Sequence, residues 1–227
     1  MFNCPYETDY FSDFAEPIPG PSTELVSRLA EKFGIHIVAG SIPEYAEGKL
    51  YNSSAILGPT GQLLGVHRKI HLFQVDAPGE IVFDESEFFS PGDSITLIQG
   101  KQAVFGVAIC YDLRFPELIR KMTLEGSQII CLPGAFNTTT GPAHWKTLLR
   151  SRAIDNQVFV VGCSPARNPE SSYQAYGHSM VVDPWGEIMQ EADAEETSFT
   201  KTLDLCEVDK TRKKLPLLES RRPELYS

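Results

Sequence analysis

No run of this sequence is long and apolar enough to span a membrane. Apolar stretches such as Ala103–Ile109 and Val158–Cys163 fall far short of the roughly 20 residues a spanning helix needs. The start, Met1-Phe2-Asn3-Cys4-Pro5-Tyr6-Glu7, lacks the basic region and apolar block of a signal peptide. No C-x-x-C pair occurs among five scattered cysteines, so a zinc ribbon or thioredoxin-type site has no support, and a reduced intracellular protein is expected. Positive charge is also scarce. Twenty Lys+Arg face 30 Asp+Glu, a formal charge of −10, which argues against nucleic acid or an anionic membrane as a partner held by the overall field. No internal repeat, linker or composition break divides the chain. Its 227 residues, 42% apolar and 22% charged, predict one globular domain over 1–227.

The first twenty residues, rich in proline and aromatics, read as loop. Pro21 opens a helix whose apolar stripe is Leu25, Val26, Leu29, Ala30 and Phe33, ending at Gly34. Ile35–Ala39 predicts a strand buried on both faces. Tyr51–Leu57 and Gln62–His67 flank Gly58-Pro59-Thr60-Gly61, a hairpin signal. Residues 72–93 read as loop, with turns at Pro78-Gly79 and Pro91-Gly92. Buried strands are predicted at Lys101–Ile109, Gln128–Leu132 and Val158–Gly162, and helices at Pro116–Leu124 and from Pro142 to Asn156. Strands at His178–Val182, Glu187–Gln190 and Ser198–Leu205 and a helix at Glu207–Lys214 complete the pattern. Alternating strands and helices with hairpins between them predict a layered α/β architecture.

Cys110 ends the apolar run Val104–Ile109 and is followed at once by Tyr111-Asp112-Leu113-Arg114-Phe115-Pro116. A strand that stops at a cysteine and turns into a helix sets sulfur beside backbone N–H groups, an arrangement suited to a nucleophile; a buried structural cysteine is the other reading. Lys69 stands in His67-Arg68-Lys69-Ile70-His71. In an extended chain 67, 69 and 71 share a face, so their cationic groups could lower a thiol pKa or hold an oxyanion; a solvated Lys69 is the alternative. His67 and His71 lack both a helical pattern and a third ligand, and no metal is expected. Glu85 and Glu87, flanked by Phe83 and Phe88, are candidates for proton transfer or plain loop acids. His178 is either a base for a papain-type thiol or a hydrogen-bonded core residue.

The motifs resemble the nitrilase superfamily of carbon–nitrogen hydrolases. They run from His67-Arg68-Lys69-Ile70-His71-Leu72-Phe73 through Gly106–Glu117, Pro133–Asn137, Gly141–Trp145 and Arg150–Asn156 to Tyr176–Ser179, Asp183–Gly186 and Arg221–Tyr226. Leu72–Gly79 and Gly134–Trp145 favour the omega-amidase branch over its neighbour, the deaminated-glutathione amidases.

The resemblance implies an α/β fold, the nitrilase-type α-β-β-α sandwich, and a Glu-Lys-Cys triad. Cys110 matches the nucleophile, Lys69 the catalytic lysine and Glu85 an additional glutamate beside the triad, while Tyr111 supplies an oxyanion backbone N–H and Tyr6 contacts substrate. The general-base glutamate has no match. The family carries it in a Leu-Pro-Glu string just before a segment like Phe2–Tyr6, so the sequence is expected to be incomplete at its N-terminus and to lack the first strand-helix-strand. A chain without that base could survive as a non-catalytic pairing partner. The expected reaction is cofactor-free hydrolysis of short dicarboxylate monoamides, 2-oxoglutaramate and 2-oxosuccinamate, to the 2-oxo acid and ammonia through a cysteine thioester. The expected partners are the small amide, water and a second copy in a homodimer, with no nucleic acid and no membrane. The expected location is the cytoplasm, with the mitochondrion as a second compartment.

Overall fold

The structure, a computed structural model, describes residues 1–77 and 81–226. In chain order its elements are α1 (Thr8–Phe11), α2 (Pro21–Phe33), β1 (Ile37–Val38), β2 (Ile42–Ala46), β3 (Lys49–Leu57), β4 (Leu63–Arg68), β5 (Gln74–Ala77) and β6 (Ile81–Asp84). Then come β7 (Thr96–Gln99), β8 (Val104–Val107), α3 (Pro116–Leu124), β9 (Ile129–Pro133), α4 (Gly141–Asn156), β10 (Phe159–Cys163), β11 (Met180–Val182), β12 (Ile188–Glu191) and α5 (Cys206–Lys214). Among the described residues no helix is long and apolar enough to cross a membrane.

Two sheets face each other. In the first, β3 pairs antiparallel with β1 and β2 on one side and with β4 on the other. The second runs β12-β11-β10-β9-β8-β7, with β8, β9 and β10 parallel and the flanking strands antiparallel. The period-2 geometry of β9 sorts the layers. Ile129 and Cys131 join Ile56, Ile98, Phe105 and Val107 between the sheets, while Ile130 and Leu132 join Ile119, Trp145 and Leu149 under α3 and α4. On the opposite side α2 lays Ala30 and Val26 on Ala39, Ala55 and Leu57. The order of layers is therefore helix, sheet, sheet, helix. The near-continuous apolar strands are the ones covered on both faces, and the expected sandwich is what forms.

Several expectations are corrected. Residues 72–93 are not plain loop: β5 and β6 form an antiparallel ladder, and Glu85–Glu87 is a short 3-10 helix. The predicted turn at Pro78-Gly79 lies outside the described residues. Strands β2 and β7 appear where none was predicted. Pro43 interrupts the alternation of β2, and β7 is only four residues long, with β8 as its antiparallel partner. Ser198–Leu205 alternates like a strand but forms no ladder among the described residues. α1 forms within the N-terminal loop. The α2 stripe is split, because the small Ala30, Ala39 and Ala55 draw one edge onto the sheet and leave Leu25, Leu29 and Phe33 exposed. Ile35–Ala39 is likewise only half covered, with Ile35 exposed.

Candidate active site

The carboxyl ends of β8, β9 and β10 open into one pocket of about 420 Å³. Cys110, Gly134, Ala135, Cys163 and Ser164, which end or follow those strands, all line it, together with Tyr6, Asn52, Lys69, Tyr111, Arg114 and Tyr173. It is the site the parallel strands offer, since their ends point the same way.

Cys110 begins a 3-10 helix, Cys110–Arg114, directly after the extended Ile109. Its φ is +48°, in the left-handed region that a side chain other than glycine's enters at a cost. This sharp turn sets the thiol on the pocket wall. Burial pushes the Cys110 thiol pKa up; the Lys69 charge and the Ala135 backbone N–H act against that, and Glu85 adds to the rise. The Ala135 carbonyl is held in turn by the Tyr173 hydroxyl. Gly134 lets the end of β9 pass close by, since a Cβ there would lie 3.1 Å from Cys110 Cα and 3.3 Å from the Trp145 ring. Gly134→Ala is therefore expected to cost about tenfold in kcat by shifting the elbow a few tenths of an ångström, with a thermal midpoint lowered by overpacking. Steady-state kinetics and a melting curve check both.

Lys69 follows β4, its N–H held by the Asn52 carbonyl at 2.8 Å. It is 1% exposed and ion-paired with Glu85, which is 0% exposed. Glu85 also accepts the Phe73 N–H at 2.7 Å and the Asn52 side-chain amide at 2.9 Å. Tyr6 stands beside them, and burial followed by the Glu85 and Cys110 charges raises its phenol pKa well above the usual value. The structure thus brings Cys110, Lys69, Glu85, Tyr111 and Tyr6 to one place. Glu87 is exposed. His178 is not at the pocket: it stacks on Tyr176 with ring centroids 4.1 Å apart and faces Glu191 at 3.5 Å, leaving Cys110 without the imidazole a papain-type mechanism needs.

Three residues at the site were not singled out from the sequence. Asp112 is buried and closes the elbow by accepting the Ile109 N–H at 2.9 Å. It accepts the His71 N–H at 2.9 Å and meets the imidazoles of His71 at 2.8 Å and His67 at 3.3 Å. Burial alone would raise its carboxyl pKa, but these bonds outweigh it and hold the group far below the usual carboxylate range. Asp112 thereby ties the segment carrying Lys69 to the turn carrying Cys110, and both histidines take part in that tie. An aspartate three residues past a strand end was the available hint. Arg114 lies over the Phe136 ring at 4.8 Å and meets His144 at 3.1 Å, with no carboxylate partner among the described residues. Asn52 is the third.

An α-β-β-α sandwich with cysteine, lysine and glutamate gathered at the ends of its parallel strands defines a class of hydrolase, and comparison with known proteins agrees. The model of the carbon–nitrogen hydrolase family matches residues 1–213, and the chain belongs to that family. It is 51% identical over 226 residues to omega-amidase NIT2 of Xenopus tropicalis, covering 100% of this chain and 82% of that protein. It is 48% identical over 226 residues to omega-amidase NIT2 of Homo sapiens, with the same coverage. Among solved structures, Saccharomyces cerevisiae Nit3, a member of branch 10 of the nitrilase superfamily, superposes with a TM-score of 0.89 at 46% identity, over 97% of this chain and 80% of that one.

Proposed function

We propose that the protein is an omega-amidase acting on 2-oxoglutaramate and 2-oxosuccinamate through Cys110. The observation that carries the reading is the pairing of a strand-end thiol with a buried ammonium in a pocket that also holds a guanidinium with no carboxylate partner among the described residues. The Cys110 thiol gives up its proton as its sulfur attacks the terminal amide carbonyl, and that proton ends on the leaving nitrogen. Lys69 spends one of its three N–H donors on Glu85, leaving the others for the developing oxyanion, which the Tyr111 N–H also receives. Glu85, with both oxygens engaged, holds Lys69 in place rather than moving through the site. The C–N bond breaks, ammonia leaves, and water hydrolyses the thioester to the 2-oxo acid. Tyr6 contributes a phenol on the same wall. The proposal extends to a homodimer in the cytoplasm, with the mitochondrion as a second compartment. Both rest on the family resemblance, and sedimentation velocity tests the first.

A substrate of this class carries a carboxylate at the end remote from its amide. Arg114 suits that group, since a planar guanidinium donates two parallel hydrogen bonds to a carboxylate and this one has no acidic neighbour among the described residues. Arg114→Met is expected to raise KM for 2-oxoglutaramate on the order of 10²-fold and to leave a short uncharged amide unaffected. Ammonia release measured on both substrates decides the point. Release of ammonia from a short uncharged amide but not from 2-oxoglutaramate by the unaltered protein would refute the omega-amidase reading itself.

A further inference from the structure

Hydrolysis of an amide leaves one substrate group without a partner in the scheme above, the amide nitrogen. It carries two N–H bonds into the tetrahedral adduct and leaves as ammonia. Asn52, in β3, is 3% exposed and lines the same pocket as Lys69 and Cys110. Its side-chain amide donates from Nδ2 to Glu85 Oε1 at 2.9 Å. Its Oδ1 is buried and has no hydrogen-bond partner among the described residues. Turning the amide over would set Oδ1 against the Glu85 carboxylate, so the acceptor end is fixed away from Glu85. Buried acceptors in native proteins nearly always find a donor, and an orphan in a substrate pocket calls for one from the ligand.

Resting on the reading of the protein as a Cys110 amidase, we propose that Asn52 Oδ1 accepts an N–H of the scissile amide, both in the bound substrate and in the tetrahedral adduct. The step it serves balances simply. The S–C bond forms and the C–N bond breaks, the thiol proton ends on nitrogen, and acyl-NH2 plus thiol becomes thioester plus ammonia. Asn52 takes no proton. It holds the –NH2 group so that the nitrogen lone pair stays free for the arriving proton, and it makes the pocket prefer amides over esters, whose leaving oxygen has no hydrogen to give.

The test compares kcat/KM for 2-oxoglutaramate with that for the ω-methyl ester of the same 2-oxo acid. Both give the same thioester, so kcat/KM reports acylation alone. In Asn52→Ala the amide-to-ester ratio is expected to fall at least tenfold. Asn52→Asp, which keeps an oxygen in the place of Oδ1, is expected to hold the ratio within about threefold of the parent while losing rate on both substrates, because its second oxygen repels Glu85. Asn52→Leu, close in volume, replaces the alanine variant should that one fail to fold. Equal losses on amide and ester in the alanine or leucine variant would show that Asn52 acts only through Glu85 and would overturn the proposal while leaving the amidase reading standing. A parent protein that cleaves the ester and not the amide removes both.

Discussion

Cys110→Ala is expected to end turnover, with kcat down by a factor on the order of 10⁴ or more, and to abolish the mass increase that an acyl-enzyme gives in intact-protein mass spectrometry. The expectation rests on position as much as on chemistry. Cys110 stands at a strand end with φ +48° on the pocket wall, beside Lys69 and the Ala135 N–H. Cys163, at the end of β10, lines the pocket too but lacks the left-handed turn. Burial, then the nearby Cys163, pushes the Cys131 thiol up to about 12, which keeps it protonated and unreactive. Burial raises the Cys4 thiol too, and Cys206 is exposed at the start of α5. Alanine or serine at those positions, and at Cys163 on the pocket rim, is expected to leave turnover intact. An acyl group mapped to any of them would defeat the assignment. A companion variant checks the strained turn. Cys110→Gly relieves the left-handed backbone that Cys110→Ala retains, so the glycine variant is expected to be the more stable of the two inactive proteins by about 1 kcal/mol, read from paired denaturant melts.

Lys69→Met carries two large effects that separate cleanly. Loss of the ammonium removes an oxyanion donor, so kcat is expected to fall on the order of 10²- to 10³-fold with little change in KM. It also strands Glu85, a fully buried carboxylate, among neutral donors such as the Asn52 amide and the Phe73 N–H. Breaking a buried pair from one side costs about 3–5 kcal/mol. The double variant Lys69→Met/Glu85→Gln should recover much of that stability, since no uncompensated charge remains, but none of the activity. The Cys110 thiol pKa should move as well. Lys69 draws it down in the parent, so iodoacetamide alkylation of the Met variant is expected to begin at higher pH. Normal kcat in the single variant would reduce Lys69 to a structural ion-pair partner.

How much of this was written locally explains what could be read from the sequence. The run Val104–Ile109 followed by polar, turn-forming residues announces a strand end at Cys110, because periodicity and turn chemistry are local. Apart from the family resemblance, Lys69 was visible only as one of several cations on an extended face, and the fold decides that it turns to Glu85 while His67 and His71 turn to Asp112. Glu85 was one of two acids between phenylalanines. The 3-10 turn that buries it and exposes Glu87 depends on the Asp84 side chain accepting the Ser86 N–H. Asn52, Asp112 and Arg114 gain their places from contacts 33 to 45 positions away along the chain for the first two, and from packing on Phe136 for the third. Strand β2 escaped notice because Pro43 suppresses the alternation, whereas Ser198–Leu205 alternates well yet forms no ladder among the described residues. A strand exists only where a neighbour offers hydrogen bonds, and single-segment patterns do not carry that information.

The shared direction of β8, β9 and β10 separates what can be redesigned from what has to be kept. Alternation along β9 commits Ile130 and Leu132 to the layer under the helices and Ile129 and Cys131 to the interior between the sheets, so change within the strand disturbs a foundation. The thiol and the neighbouring pocket wall sit just beyond, on backbone that has left the ladder, at Cys110, Ala135 and Ser164. Laboratory evolution toward a different acyl chain thus has a natural library of short loop tips around Thr140 and Pro165, where sequence can be exchanged while the scaffold beneath continues to fold unaided.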